Sequence, residues 1–181
     1  MARQSETGAG LAANVRRLGH LDLPGAGQVT VRGRYAYVGH MRPPHGTTIL
    51  DVSDPQKPKI VSSLALADPY SHTHKVRVVG DLMVVNVEQH NRHFVRKGAG
   101  IPAATDRLTA ALGRRPTDTE LAAELKVAAP DVATLREAWA RGYRDGGFKV
   151  YAVTDRANPR LLVHQRTHGV GVHRFDLDQR Y

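Results

Sequence analysis

Apolar residues fall along this chain in short runs with β-strand character, and the runs end in residues that favour turns. Residues 35–38 (YAYV) and 47–52 (TTILDV) are rich in aromatic and β-branched side chains, which suit a pleated, half-buried strand. Ser-Asp-Pro at 53–55 closes the second run, because Ser and Asp bond nearby backbone N–H groups and Pro cannot continue a ladder. The pattern predicts a β-hairpin over residues 33–55 and a further strand over residues 58–64.

The same succession of strands and turns returns later in the chain. Residues 147–153 (GFKVYAV) match the run at 47–52. Further strands or partial copies of the unit are predicted at residues 14–23, 28–32, 74–79, 82–87, 158–163 and 169–178. The last of these segments aligns His173 with His74. Repeated groups of four short strands are typical of β-propellers, because one four-stranded sheet cannot bury both of its faces alone.

We therefore expect a mostly β protein, a partial β-propeller built from four-stranded antiparallel blades. An unrelated antiparallel sheet with similar turns is the alternative. A complete propeller needs at least four blades of about 40–45 residues, whereas these repeats supply about two and part of a third. Arg180 and Tyr181 stand where Arg34 and Tyr35 open a strand, so we expect a fragment whose missing blades come from a longer chain or an oligomer.

Between residues 91 and 145 the apolar spacing changes to that of helices. Thr117 and Glu120 have capping-box spacing, and Pro130 is expected at the first position of a helix, where its missing N–H costs nothing. An inserted segment of three helices is predicted at residues 103–112, 117–125 and 131–140. The predicted domains are a disordered tail (1–10), a first propeller part (11–90), the helical insert (91–145) and a truncated second propeller part (146–181).

The segment YAYVGH…ILDVSDPQKPKIV resembles the LVIVD-repeat β-propeller family, a group of bacterial repeat proteins whose biochemical roles are mostly undefined. The resemblance covers residues 14–90 and 146–181. The D-V-S-D-P-x-x-P element at 51–58 is its most specific part, and the second copy at 153–159 departs from it by lacking the first Pro. The resemblance implies a propeller fold.

A second resemblance lies in the helical insert. LGRRPTDTELAAELKV, with the apolar positions up to Leu135, is similar to the region-3 domain of bacterial primary-type sigma factors. It departs from that pattern at Ala129, where a capping Ser or Thr is expected. A DNA-reading helix is usually more basic than this segment, so a structural or partner-binding decoration is favoured over DNA binding.

Composition narrows the classes of function. The absence of Cys excludes disulfides and thiolate metal sites. No run of about 18 apolar residues and no signal-peptide pattern is present, so the cytoplasm is the expected location. The net charge of +9 favours acidic partners such as nucleic acid or anionic surfaces, although the basic residues are scattered. The G-x-S-x-G and P-loop motifs are absent.

Ten histidines are the main candidates for chemistry. His72 and His74 are spaced i, i+2, which in a strand places both side chains on one face, and Glu88 and His90 repeat that spacing. Together with His173 they predict a metal site at the mouth of the propeller channel. Neutral imidazole suits Zn, Cu, Ni or Fe, and the same group could supply a general base. Histidines with purely structural hydrogen bonds are the alternative.

The remaining histidines have simpler structural interpretations. His164 and His168 fall in the corresponding region of the next repeat. We expect His20 and His164 to face solvent after an outer strand, and His40, at a strand end, to bond backbone.

Three functions follow from these patterns. The first is a binding or scaffold module, with a protein or small-molecule ligand at the propeller face and a possible His-lined site for a divalent transition metal. The second is a metal-dependent enzyme using the same histidines, with no catalytic residue identified. The third is nucleic-acid binding through the helical insert.

Overall fold

The computed structural model describes residues 15–90 and 92–178, and within them nine strands form two antiparallel sheets. The strands are β1 (Ala26–Arg32), β2 (Tyr35–His40), β3 (His45–Asp51), β4 (Lys59–Ala65), β5 (Ser71–His72), β6 (Val76–Val79), β7 (Leu82–Gln89), β8 (Gly147–Ala152) and β9 (Arg160–Arg166). The helices are α1 (Arg92–Gly98), α2 (Ile101–Leu112), α3 (Asp118–Leu125) and α4 (Asp131–Arg141).

The first sheet is a meander in which β1, β2, β3 and β4 pair in chain order. Tyr35 at the start of β2 lies opposite Asp51 at the end of β3. Asp51 Oδ1 accepts a hydrogen bond from Ser53 N over 2.9 Å, and Asp54 Oδ1 accepts one from Gln56 N over 3.0 Å. These bonds form the predicted turn, because they give the backbone partners outside the ladder.

The second sheet repeats this plan with one strand interrupted. Its order is β5-β7-β8-β9, and β6 pairs with β7. β5 pairs with the end of β7 and β6 with its beginning. Together, β5 and β6 therefore take the place that β1 has in the first sheet. Both sheets thus have four strand positions in the same order.

The main core lies between the two sheets. Tyr37 and Ile49 of the first sheet pack against Val76, Met83 and Val153 of the second, and all five are fully buried. Close approach of the sheets requires a glycine in β2. A Cβ at Gly39 would lie 2.4 Å from the Thr73 carbonyl oxygen.

All four helices lie between β7 and β8, where the first sheet has only a short turn between β2 and β3. The three predicted helices are confirmed within two residues at each end, and so is the Thr117–Glu120 capping box. The prediction for Pro130 is wrong by one position, because Pro130 caps α4 and Asp131 is its first residue. The first helix, α1, was not predicted.

Several predicted strands are corrected by the structure. Residues 15–23 and 172–178 form no strand, and the predicted strand at 74–79 begins only at Val76. The predicted tail at 1–10 and the final Arg180 and Tyr181 lie outside the described residues. The described strands do not close a ring, and the predicted domain boundaries stay predictions. Among the described helices, none has the length and apolarity needed to cross a lipid bilayer.

Candidate metal centre

The predicted ligands meet at one end of the second sheet. The β5–β7 ladder places His72 opposite Glu88, and His74 follows two residues later in the same extended segment. His173 approaches from the segment after β9, where Gly171 forms an isolated bridge with Glu88. Gly171 has φ +95°, and a Cβ there would lie 2.2 Å from the β7 backbone, so glycine is required at this crossing.

Glu88 is the centre of the cluster and is 1% exposed. Its Oε2 accepts a hydrogen bond from His173 Nδ1 over 2.8 Å. The same oxygen lies 3.6 Å from His72 Nε2 and 3.6 Å from His74 Nδ1, beyond ordinary hydrogen-bond length. Ligand atoms of a tetrahedral zinc ion with bonds of about 2.0–2.2 Å lie about 3.3–3.6 Å apart. One possible ligand atom from each of His72, His74 and Glu88 lies within 4.8 Å of the other two.

His72 and His74 both favour the neutral form that ligates metals. Burial lowers the pKa of His74 to about 4, and the neighbouring His72 adds to this effect. Burial also lowers the pKa of His72, although the Glu88 carboxylate opposes it. Asn86 Nδ2 donates to His74 Nδ1 over 3.2 Å, so an ion bound at Nδ1 would replace this hydrogen bond.

Each of these imidazoles also buries a nitrogen without a hydrogen-bond partner in the described part of the chain, His72 Nδ1 and His74 Nε2. Such a group costs roughly 1–3 kcal/mol, and these are the ring nitrogens opposite the ones that lie 3.6 Å from Glu88 Oε2. The Asn86 amide beside His74 is held in place, because its Oδ1 accepts from Lys75 N over 2.8 Å and its Nδ2 also donates to Val172 O over 2.9 Å.

The helical insert contributes directly to the site. Arg92, the first residue of α1, donates from Nη1 to Glu88 Oε1, so both carboxylate oxygens have partners. The cluster opens into a cavity of about 340 Å³. Its walls are Met41, His72, His74, Lys75, Glu88, Gln89, His90, Arg92 and His173.

All five predicted ligands therefore line one cavity, but they differ in position. His90 meets His72 edge-on with ring centroids 5.7 Å apart. His173 forms a hydrogen bond with the Glu88 carboxylate, which His72 and His74 also face. The closest three-residue group is His72, His74 and Glu88.

The other histidines lie elsewhere. His168 is exposed. His164 is wrongly predicted to face solvent, because its side chain is 12% exposed and its Nε2 donates to Asp145 O over 2.9 Å. His40 bonds backbone as predicted, donating from Nδ1 to Pro24 O over 2.8 Å.

Sequence reasoning missed Lys75, Asn86, Gln89 and Arg92. Arg92 stands four residues after Glu88, but that spacing has meaning only within a helix, and here it crosses from a strand into a helix. Asn86 lies in β7 and Lys75 in the break between β5 and β6, where polar residues are common, so no local signal identifies them.

The strand that carries His72 is also tied to the end of the insert. Tyr143 OH lies 2.8 Å from Ser71 Oγ, and Ser71 Oγ donates to Asp68 Oδ2 over 2.6 Å. Ser71 is fully buried. This chain of hydrogen bonds fixes the residue next to His72.

Comparison with known proteins places the first sheet in a class of β repeats. Residues 25–65, which include all of β1 to β4, match the family model described as LVIVD repeat. The predicted resemblance to the LVIVD-repeat family is confirmed for residues 25–65, so the four-stranded first sheet matches one such repeat, and the resemblance of the rest of 14–90 and of 146–181 stays a prediction. No curated protein and no solved structure matches the chain. Nothing in these comparisons supports the resemblance of residues 112–135 to sigma-factor region 3.

Proposed function

We propose that this protein is a repeat module that binds a divalent transition-metal ion through His72, His74 and Glu88. The observation that carries the proposal is the convergence of two imidazoles and a carboxylate on one buried site, with a possible ligand atom of each within 4.8 Å of the other two. Imidazole with carboxylate is a ligand set that suits zinc, copper, nickel or iron. His173 and Arg92 hold the carboxylate in place, as outer-shell groups do in metal sites.

The proposed module is part of a β-propeller, with the two sheets as consecutive blades and the metal site at the channel mouth. Support comes from the way each sheet bonds the segment that follows it. His40 at the end of β2 exchanges backbone hydrogen bonds of 2.9 and 3.2 Å with Thr73. Glu88 near the end of β7 forms the corresponding bridge with Gly171, where the next repeat begins.

Zinc titration of the untagged chain by calorimetry tests the proposal. One zinc ion per chain is expected, and His72→Ala and His74→Ala should each weaken binding at least tenfold, since each removes a ligand. His20→Ala is the matched control, because the His20 side chain is 62% exposed and lies outside the cavity. Circular dichroism of each variant establishes that it is folded.

Equal zinc binding by folded His74→Ala and by the wild-type chain would refute the proposal. So would loss of binding in the His20→Ala control, because that would indicate adsorption by surface histidines.

Nucleic-acid binding by the helical insert stays a prediction, and one observation weighs against it. Three of its arginines pair with acidic residues inside the insert rather than forming an open basic face. The pairs are Arg107–Glu124, Arg114–Glu120 and Arg136–Asp118. The metal-dependent enzyme would share the site proposed above and also stays a prediction.

A further inference from the structure

The charges around the metal cavity are unbalanced. Apart from its histidines, the charged residues that line it are Glu88, Lys75 and Arg92, which carry one negative and two positive charges. The net charge is therefore +1, and a divalent ion would raise it to +3. Excess charge of one sign in a partly buried site is unfavourable unless a counter-charge binds.

Lys75 is the cation without a counter-ion. Arg92 is matched by Glu88, whereas no carboxylate lies within ion-pair distance of Lys75 in the described part of the chain. Lys75 follows His74 directly in the chain and lines the same cavity. Its ammonium group is thus available to an anion bound at the metal.

A second cavity adjoins the first on the side of the helices. Its volume is about 290 Å³, and Gln89 and His90 line both cavities. Its other walls are Tyr70, Val95, Thr134, Glu137, Ala138 and Arg141. Gln89 is 2% exposed, and its Oε1 has no hydrogen-bond partner in the described part of the chain. Because Gln89 and His90 line both, the two cavities meet at this wall, and a ligand in one can extend into the other.

We propose that the loaded metal centre binds a small organic carboxylate, with the carboxylate held by the ion and Lys75 and the organic body in the helix-side cavity. This inference rests on the proposed function, because the ion supplies most of the positive charge. The helical insert then has a defined role, since α1 and α4 form the wall of the cavity that receives the organic body.

The test measures binding of acetate and of benzoate to the zinc-loaded full chain by calorimetry. Benzoate should bind at least tenfold more tightly than acetate, because only benzoate extends into the second cavity. Lys75→Met should weaken both at least tenfold, whereas Lys57→Met, which removes the same charge from the exposed turn before β4, should weaken neither. Thr134→Phe narrows the helix-side cavity and should weaken benzoate alone. Ala133→Phe, at an exposed neighbouring position that does not line the cavity, is its control.

Failure of this inference is distinguishable from failure of the metal site. If zinc binds with the expected stoichiometry but neither carboxylate binds, the inference is overturned while the metal site stands. Unchanged benzoate binding in Lys75→Met, or equal binding after zinc is removed with a chelator, would also overturn it. If zinc itself does not bind, both fall together.

Discussion

At the scale of single residues, Glu88 connects groups from three separate parts of the chain. It faces His72 and His74 on the strand side, accepts from His173 of the following repeat and pairs with Arg92 of the insert. A buried carboxylate is costly unless it is paired and hydrogen-bonded, and these contacts provide both.

The substitution Glu88→Gln tests this role, because it preserves size and removes the charge. Zinc affinity should fall at least tenfold, and loss of the Arg92 partner should lower the free energy of unfolding by about 1–3 kcal/mol. Calorimetry and urea unfolding of the metal-free chain measure the two effects. Glu124→Gln, which removes a surface ion pair with Arg107, is the control and should change zinc binding little. Unchanged zinc affinity in Glu88→Gln would show that the carboxylate is not a ligand.

At the scale of elements, α3 is specified by contacts within its own first turn. Thr117 Oγ1 accepts from Glu120 N, and Glu120 Oε2 accepts from Thr117 N over 2.7 Å. Arg114 donates to the same carboxylate. These bonds satisfy backbone N–H groups that have no partner inside the helix.

Replacing the cap by Thr117→Ala should reduce the free energy of unfolding by about 1 kcal/mol, the usual value for a lost N-cap. Urea unfolding of the full chain measures the change. Thr119→Ala, two residues further along the chain, is the control because Thr119 is exposed and has no capping bond. An equal loss in both variants would mean that the cap itself does not stabilise α3.

The cap also predicts a dependence on pH. The hydrogen bond from Arg114, followed by those from Thr117, lowers the pKa of Glu120 from 4.5 to about 2. A lowered folded-state pKa gives stability that is present above pH 4.5 and lost as the pH falls towards 2. The stability difference between wild type and Glu120→Gln should therefore shrink over that range. A difference that stays constant from pH 6 to pH 2 would contradict this assignment.

Elements with local signals are the ones that the sequence predicts correctly. The turn after β3 and the capping box depend on neighbours a few residues apart, and both form as expected. Helix α1 has no acidic residue in its first turn and is short. It is set by packing on α4, where a Cβ at Gly98 would lie 2.6 Å from Leu135 O. The predicted strand at residues 15–23 lacks a partner strand within the described residues, and only tertiary structure reveals that.

The residues of the candidate site also fall into two groups, those that local sequence spacing predicts and those that it does not. Spacing of i, i+2 brings His72 and His74 to one face, and the repeat alignment brings His173 to the same place. Lys75 depends on the break between β5 and β6, and Arg92 on the path of the chain from β7 into the insert; the sequence has no local pattern for either.

At the scale of the whole molecule, the two sheets use equivalent positions differently. Val29 in β1 lies opposite Val38, as Val76 in β6 lies opposite Val85. Val76 is 0% exposed because it faces the first sheet, whereas Val29 is 52% exposed. Burial is thus set by the neighbouring sheet rather than by residue type.

This difference predicts unequal effects of the same substitution. Val76→Ala should lower the free energy of unfolding by about 2–3 kcal/mol, since it removes buried methyl groups and leaves a cavity. Val29→Ala should change it by no more than about 0.5 kcal/mol. Urea unfolding of both variants provides the comparison. Equal losses would show that Val29 is covered in solution.

The central claim is that His72, His74 and Glu88 form one metal centre, and the visible absorption spectrum of the cobalt-substituted chain tests it most directly. Cobalt in a tetrahedral nitrogen and oxygen site absorbs far more strongly than hydrated cobalt. We predict an intense band that saturates at one equivalent, disappears in His72→Ala and His74→Ala, and is unchanged in His20→Ala. The weak spectrum of hydrated cobalt in the wild-type chain would contradict the account. So would an intense band that survives in His72→Ala or in His74→Ala.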